Sequence, residues 1–279
     1  MIEHITQLIE KNWKYLPVAQ IPCEKEAVFV TKFCQRIVGK DTKVLFLVTH
    51  KGTPVCVVKT TRDPDFNEKL RHEKESQEKV AVFGNISVPE VYFEAMVGGH
   101  CIYAEEVAQG KIIPKKTARK FEKKVVDFIA GFSSGGSMSS KELASIFLMF
   151  APPDSTLITE LARRIQSKDV LLKKGFTHSD FERPNILYRS GLLHIIDWGR
   201  AGDVPFRFID AVYVIVGNRN IKNLEDWKKI IPEFTLYTGV DGATAEVLYC
   251  IMVICKTLRK KYPERYFAVV DGFNEYFRR

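Results

Sequence analysis

Between Gly175 and Val212, polar side chains able to bind ligands sit at the ends of short apolar runs, an order that few folds accommodate. The two segments are GFTHSDFERPNILY, Gly175 to Tyr188, and HIIDWGRAGDVPFRFIDAV, His194 to Val212. Asp180 and Asn185 are five residues apart, a step that lets one loop aim both side chains into one site. The runs Ile186 to Tyr188 and Leu192 to Ile196 flank a turn at Ser190 and Gly191, which predicts a small hairpin. That hairpin returns Asp197 to the loop twelve residues after Asn185. Singly, such residues shape turns or cap elements; the combination points to a site.

The rest of the chain changes character near residue 108. KVLFLVTH and PVCVVKT flank the polar turn Lys51 to Thr53 and predict a strand hairpin. DFNEKLRHEKESQEKVAVFG follows, with Leu70, Val80 and Val82 among charged residues, and predicts a largely exposed helix ending at Gly84. VPEVYFEAMVGGHCIYAEEV repeats the strand, Gly-Gly turn, strand pattern. From about residue 111 onward helical spacing dominates, in Lys115 to Phe132, Lys141 to Phe150, Ser155 to Lys173, Leu224 to Tyr237 and Ala243 to Tyr262. The segment GFSSGGSMSS, Gly131 to Ser140, reads as a flexible loop. The expected class is therefore α+β, with an antiparallel-sheet N-terminal lobe (1–107) and a mainly helical C-terminal lobe (108–279).

Composition narrows the partners. Of 279 residues, 46% are hydrophobic and 27% charged, the balance of an ordinary globular protein. A net charge of +8 suits a phosphorylated ligand as well as a nucleic acid, and no nucleic-acid-binding motif accompanies it, so no nucleic-acid partner is expected. The basic runs Lys111 to Lys124 and Lys256 to Arg265 read first as solvated helix faces. MIEHITQLIEKNWKYLP lacks the features of a signal peptide, and the apolar run Val247 to Cys255 is about half a membrane span, so no transmembrane segment is expected. Six scattered cysteines form no CxxC pair and read as buried, reduced thiols of a cytoplasmic protein. Oligomeric state has no signature here.

HSDFERPN followed by IIDW resembles the aminoglycoside phosphotransferase and choline kinase family, whose hallmark is HGDxxxxN, then a hydrophobic pair and IDW or IDF. The resemblance implies a protein-kinase-like two-lobed fold. It also implies transfer of the γ-phosphate of ATP, with Mg²⁺, to the hydroxyl of a small molecule such as an aminoglycoside, an amino alcohol or a sugar. On that likeness Asp180 is the catalytic base, Asn185 and Asp197 are metal ligands, and His178 buttresses the catalytic loop. Asp210 either hydrogen-bonds that loop or simply caps the next helix.

Lys59 ends the apolar strand VCVVK, where a half-buried lysine needs an anionic partner. In the family this lysine binds the α- and β-phosphates and pairs with a helix glutamate, which selects Glu73 over Glu75. The hinge falls at AEEV, Ala104 to Val107, where the main chain of Glu105 and Val107 would meet the adenine edge. The phosphate-covering turn falls at IVGKDTK and offers a single glycine, Gly39. Three residues depart from the pattern: Ser179 replaces the glycine of HGD, and Gly199 and Arg200 stand where an acidic residue is frequent. Two rival readings remain, an atypical protein kinase and a nucleotide-binding pseudokinase. The thirteen residues from Asp197 to Asp210 are short for a peptide-binding segment, against the first. Together Lys59, Asp180, Asn185 and Asp197 speak against the second.

Overall fold

Three two-residue turns with positive φ at both positions set the register of the hairpins: Lys51 and Gly52 (51° and 77°), Gly98 and Gly99 (58° and 83°), and Ser190 and Gly191 (49° and 90°). Such turns match the right-handed twist of paired strands. The computed structural model describes all residues except 1, 39, 40, 83–86, 116, 132, 203, 205 and 279. Gly39, Gly84 and Phe132, each named above, lie outside the described residues. In chain order the elements are α1 (Ile2–Lys11), β1 (Val28–Val38), β2 (Asp41–His50), β3 (Thr53–Thr61), α2 (Asn67–Ala81), β4 (Val91–Val97), β5 (His100–Glu105) and β6 (Lys111–Ile112). Then follow α3 (Glu122–Ile129), β7 (Ser133–Ser139), α4 (Ser140–Phe150), α5 (Thr156–Gln166), β8 (Leu171–Gly175), β9 (Ile186–Arg189), β10 (Leu192–Ile195), α6 (Ile209–Arg219), α7 (Leu224–Lys228), α8 (Ile231–Thr238), α9 (Gly242–Lys261) and α10 (Pro263–Tyr276).

These elements group into two compact units, Met1–Lys111 with Ile186–Gly199, and Ile112–Asn185 with Arg200–Arg279. The first is built on an antiparallel sheet of order β1-β2-β3-β5-β4. Strand alternation sends Val44, Phe46 and Val48 to one face, where they share a core with Ile5 and Ile9 of α1 and with Trp13. The pairing Leu45 with Lys59, and Lys43 with Thr61, puts both lysines on the opposite face. Helix α2 is less exposed than its charge suggests: Leu70, Glu73, Gln77 and Val80 form a buried stripe at helical spacing. Val82, read as part of the apolar pattern, lies past the helix and is 85% exposed.

In the second unit α9 is the central helix, with Val247, Leu248, Ile251, Ile254, Cys255 and Leu258 all buried. Two expectations are corrected here. Ser133–Ser139, within the stretch expected to be a flexible loop, is a strand paired with Leu171–Gly175, whose first three residues fall in the helix expected to end at Lys173. Main-chain pairing needs no large side chains, and it seats Met138 opposite Leu172 with both buried. The helix expected over Leu224 to Tyr237 is two, because Pro232 lacks the N–H that a continuous helix requires and starts α8 instead. Among the described residues no single helix is long and apolar enough to cross a membrane.

One ion cluster ties three helices of this unit together. Arg219 at the end of α6 donates to the fully buried Glu122 of α3, with Nε 3.0 Å from Oε2, and to Glu233 of α8, with Nη1 2.6 Å from Oε2. Replacing Arg219 by Leu leaves Glu122 as an uncompensated buried charge. The expected loss is about 3–5 kcal/mol of unfolding free energy. Urea denaturation followed by circular dichroism measures it, and a loss below about 1 kcal/mol would mean the cluster is not a structural tie.

Candidate active site

The first unit assembles a chain of charges on the sheet face opposite its main core. Lys59 Nζ lies 2.7 Å from Glu73 Oε1 and 2.7 Å from Glu105 Oε1. Glu73 Oε2 is 2.7 Å from Lys43 Nζ, which is also 2.8 Å from Asp197 Oδ1. Gln77 of α2 donates to Glu105 Oε2 at 3.1 Å and steadies the far end. Burial works against a charged Lys59, yet Glu105 and Glu73 outweigh it and raise its pKa well above the ordinary lysine value. Burial likewise pushes Glu73 up, but Lys43 and Lys59 hold it below the usual carboxylate range.

Glu73 is thus the partner of Lys59, as read from the sequence, and Glu75 is exposed. Gly199 has a steric reason: a Cβ there would meet Glu73 Oε2 at 3.3 Å, so glycine leaves room for the carboxylate beside Asp197. Asp197 itself sits at φ 67°, a left-handed conformation that aspartate tolerates better than most side chains. The side chain of Glu105 is taken up by Lys59 and Gln77, which leaves its main chain and that of Val107 as the hinge candidates. Lys43 was not singled out from the sequence. Its signal was the strand alternation that puts it on the Lys59 face.

The second unit holds the loop from His178 to Asn185. Glu182 N–H donates to Asp180 O at 2.7 Å and Asn185 Nδ2 donates to the same oxygen at 2.9 Å, closing the turn between Asp180 and Asn185. Asp210, the second residue of α6, accepts from the backbone N–H groups of His178 (2.7 Å) and Ser179 (2.9 Å), so it anchors the loop rather than capping its own helix. His178 is buried with its ring edge-on to Phe181, centroids 5.3 Å apart, which places it behind the loop as a support.

Ser179 sits at φ 59°, where glycine is unstrained and serine costs about 1–3 kcal/mol. Its hydroxyl accepts from Val204 N–H at 3.2 Å and lies 3.0 Å from Thr177 Oγ1, so hydrogen bonds offset the strain. Ser179 is completely buried. Two guanidiniums meet the Asp180 carboxylate: Arg259 Nη1 donates to Oδ1 at 3.2 Å, and Arg200 Nε is 3.9 Å from Oδ2. Arg259 also donates to Ser179 O (3.3 Å) and Tyr213 Oη (3.1 Å). It was read as part of a solvated basic run; its inward aim follows from its place four residues after buried Cys255 on α9.

No family model matches the sequence, and no curated protein matches it. Solved structures do match. An aminoglycoside phosphotransferase in complex with GDP and kanamycin superposes with a TM-score of 0.60 over 98% of this chain and 97% of its own, at 16% identity. The fold is that of the aminoglycoside phosphotransferases. The macrolide 2'-phosphotransferase of Brachybacterium faecium gives 0.59 over 98% and 97%, at 10% identity. The ethanolamine kinase of Plasmodium vivax gives 0.51 over 98% and 87%, at 12% identity. The protein-kinase-like fold expected from HSDFERPN and IIDW is therefore borne out, in a sequence far diverged from each of these.

The loop anchor generates a pH dependence. Burial pushes the Asp210 carboxyl up to about 7, against the two backbone donors that favour its ionised form. With its folded pKa above the unfolded value of 3.8, Asp210 gives a contribution to stability that is complete at low pH and is lost as pH rises to about 7. The stability difference between wild type and Asp210→Asn is expected to shrink over that window. Denaturant titrations at several pH values test it, and a difference that grows with pH would contradict the assignment.

Proposed function

We propose that this chain is a phosphotransferase that uses ATP and Mg²⁺ to phosphorylate a hydroxyl of a small molecule. The observation that carries the reading is the meeting of Lys43, Lys59, Glu73 and Asp197, from two strands, a helix and the turn after a hairpin, through contacts of 2.7 to 2.8 Å. Burying Lys59, Glu73 and Glu105 together has no structural advantage over an apolar core, so a ligand-binding purpose explains it better.

The donor set suits Mg²⁺. Asp197 offers a carboxylate and Asn185 an amide oxygen, and the Lys43 ammonium 2.8 Å from Asp197 is already a cation at that carboxylate. Magnesium is commonly held by one or two carboxylates together with phosphate and water oxygens. Bound by Asn185 and Asp197, it would neutralise charge on the transferring phosphates. Lys59, paired with Glu73, would brace the nucleotide site, and the main chain of Glu105 and Val107 would take the adenine.

Asp180 then accepts the proton of the substrate hydroxyl. The hydroxyl oxygen bonds to the γ-phosphorus while the bond to the β,γ-bridging oxygen breaks, and that electron pair leaves with ADP. His178 and Asp210 act as positioning residues for the loop. Phosphotransferases of this fold include proteins solved with GDP and kanamycin, a macrolide 2'-phosphotransferase and an ethanolamine kinase, so GTP is worth testing beside ATP. Arg200 and Arg259 set two positive charges against Asp180. That disfavours a polycationic acceptor and makes a sugar-like hydroxyl the best fit of the three acceptor classes. Cys56, Cys101, Cys250 and Cys255 are buried and outside any disulfide, in keeping with a cytoplasmic setting.

The test is a screen of sugars, amino alcohols and aminoglycosides for Mg²⁺-dependent consumption of ATP or GTP, with products identified by mass. Asp180→Ala is expected to slow turnover by at least about 100-fold. Asp197→Ala is expected to remove the magnesium dependence of nucleotide binding. Turnover unchanged in Asp180→Ala would refute its role as base.

A further inference from the structure

Two lysines share Glu73, and they differ in what else they can do. Lys59 is clasped between two carboxylates, flanked by the Tyr103 ring at 5.4 Å, and its side chain is 6% exposed. Lys43 lies on the same sheet face, two residue pairs further along the β2–β3 ladder, and its side chain is 22% exposed. It holds the outer oxygen of Glu73 and the carboxylate of Asp197, which is itself 25% exposed. Of the three N–H bonds of the Lys43 ammonium, these contacts occupy two.

The cluster sets two ammoniums against three carboxylates. A divalent cation arriving at Asp197 competes with Lys43 for the same carboxylate. The displaced ammonium, on a flexible four-carbon stem, then needs a new anion, and a polyphosphate brought with the cation supplies one.

We infer that Lys43 is the amine that contacts the nucleotide phosphates, and that Lys59 is the buried tie holding Glu73 in place. In the absence of ligand, Lys43 occupies the cation position at Asp197 and keeps that carboxylate aligned. This inference rests on the phosphotransferase reading and assigns one of its binding contacts to a residue outside the sequence motif.

The experiment has two arms, both read without turnover. In the first, ADP and ATP are titrated into wild type, Lys43→Met and Lys59→Arg, with Mg²⁺ and with chelator, and melting temperatures are recorded without ligand. Lys43→Met is expected to lower the melting temperature less than Lys59→Arg does and to lose about tenfold or more in nucleotide affinity in both conditions, the scale of one charge-assisted contact. Lys59→Arg is expected to lower the melting temperature more than nucleotide affinity.

In the second arm, wild-type protein is treated with an amine-acylating reagent, and modified lysines are mapped by mass spectrometry. Lys43 should be labelled slowly in free protein and be protected by ADP with Mg²⁺, while Lys59 stays unreactive in both states. This arm decides the matter even if Lys43→Met fails to fold. Affinity within twofold of wild type in Lys43→Met, or labelling of Lys43 unaffected by nucleotide, overturns the inference. If wild type binds neither nucleotide, the phosphotransferase reading itself fails and the inference falls with it.

Discussion

The buried carboxylate of Glu73 is the constraint on which the first unit's site depends. A carboxylate at 2% exposure needs a partner on each of its oxygens, and here Lys59 takes Oε1 and Lys43 takes Oε2. Those two contacts fix α2 against β2 and β3. Through Lys43 they also fix Asp197, the residue that follows the β9–β10 hairpin. Gly199 then leaves the carboxylate room, and Gln77 with Glu105 closes the chain of contacts on the other side. Each partner comes from a different element, so the sheet, the helix and the hairpin have to be in register before the cluster can form.

The second unit follows a parallel logic around Asp210. Two backbone N–H groups of the loop, from His178 and Ser179, converge on this buried carboxylate. They hold Ser179 in a conformation that would suit glycine, and the Ser179 hydroxyl is in turn occupied by Val204 and Thr177. Asp180, the next residue, is braced by Arg259 from α9. The loop's geometry is therefore set by Asp210, Val204, Thr177 and Arg259, which meet it from other segments of the second unit.

Much of this was legible in the sequence because its signals are local. The five-residue step from Asp180 to Asn185, the turn at Ser190 and Gly191, and the lysine ending an apolar strand each follow from spacing and burial alone. Lys43 and Arg259 were harder to find. One sits beside a single-glycine turn and the other in a basic run, and their roles depend on which distant carboxylate they face. Glu73 and Gln77 did carry a clue, as polar residues on the buried stripe of α2 with Leu70 and Val80. The stretch from Ser133 to Ser139 was misread because strand formation there rests on a main-chain partner 32 to 42 residues away, at Leu171 to Gly175, which composition does not register.

The account stands or falls on whether the Glu73 cluster receives nucleotide. The most direct measurement is a crystal structure of the protein with ADP and Mg²⁺. The expected result has the phosphates against Lys43 and a metal ion on Asp197, with Glu73 still paired to Lys59. A nucleotide bound away from Lys43, Lys59 and Asp197 would contradict it.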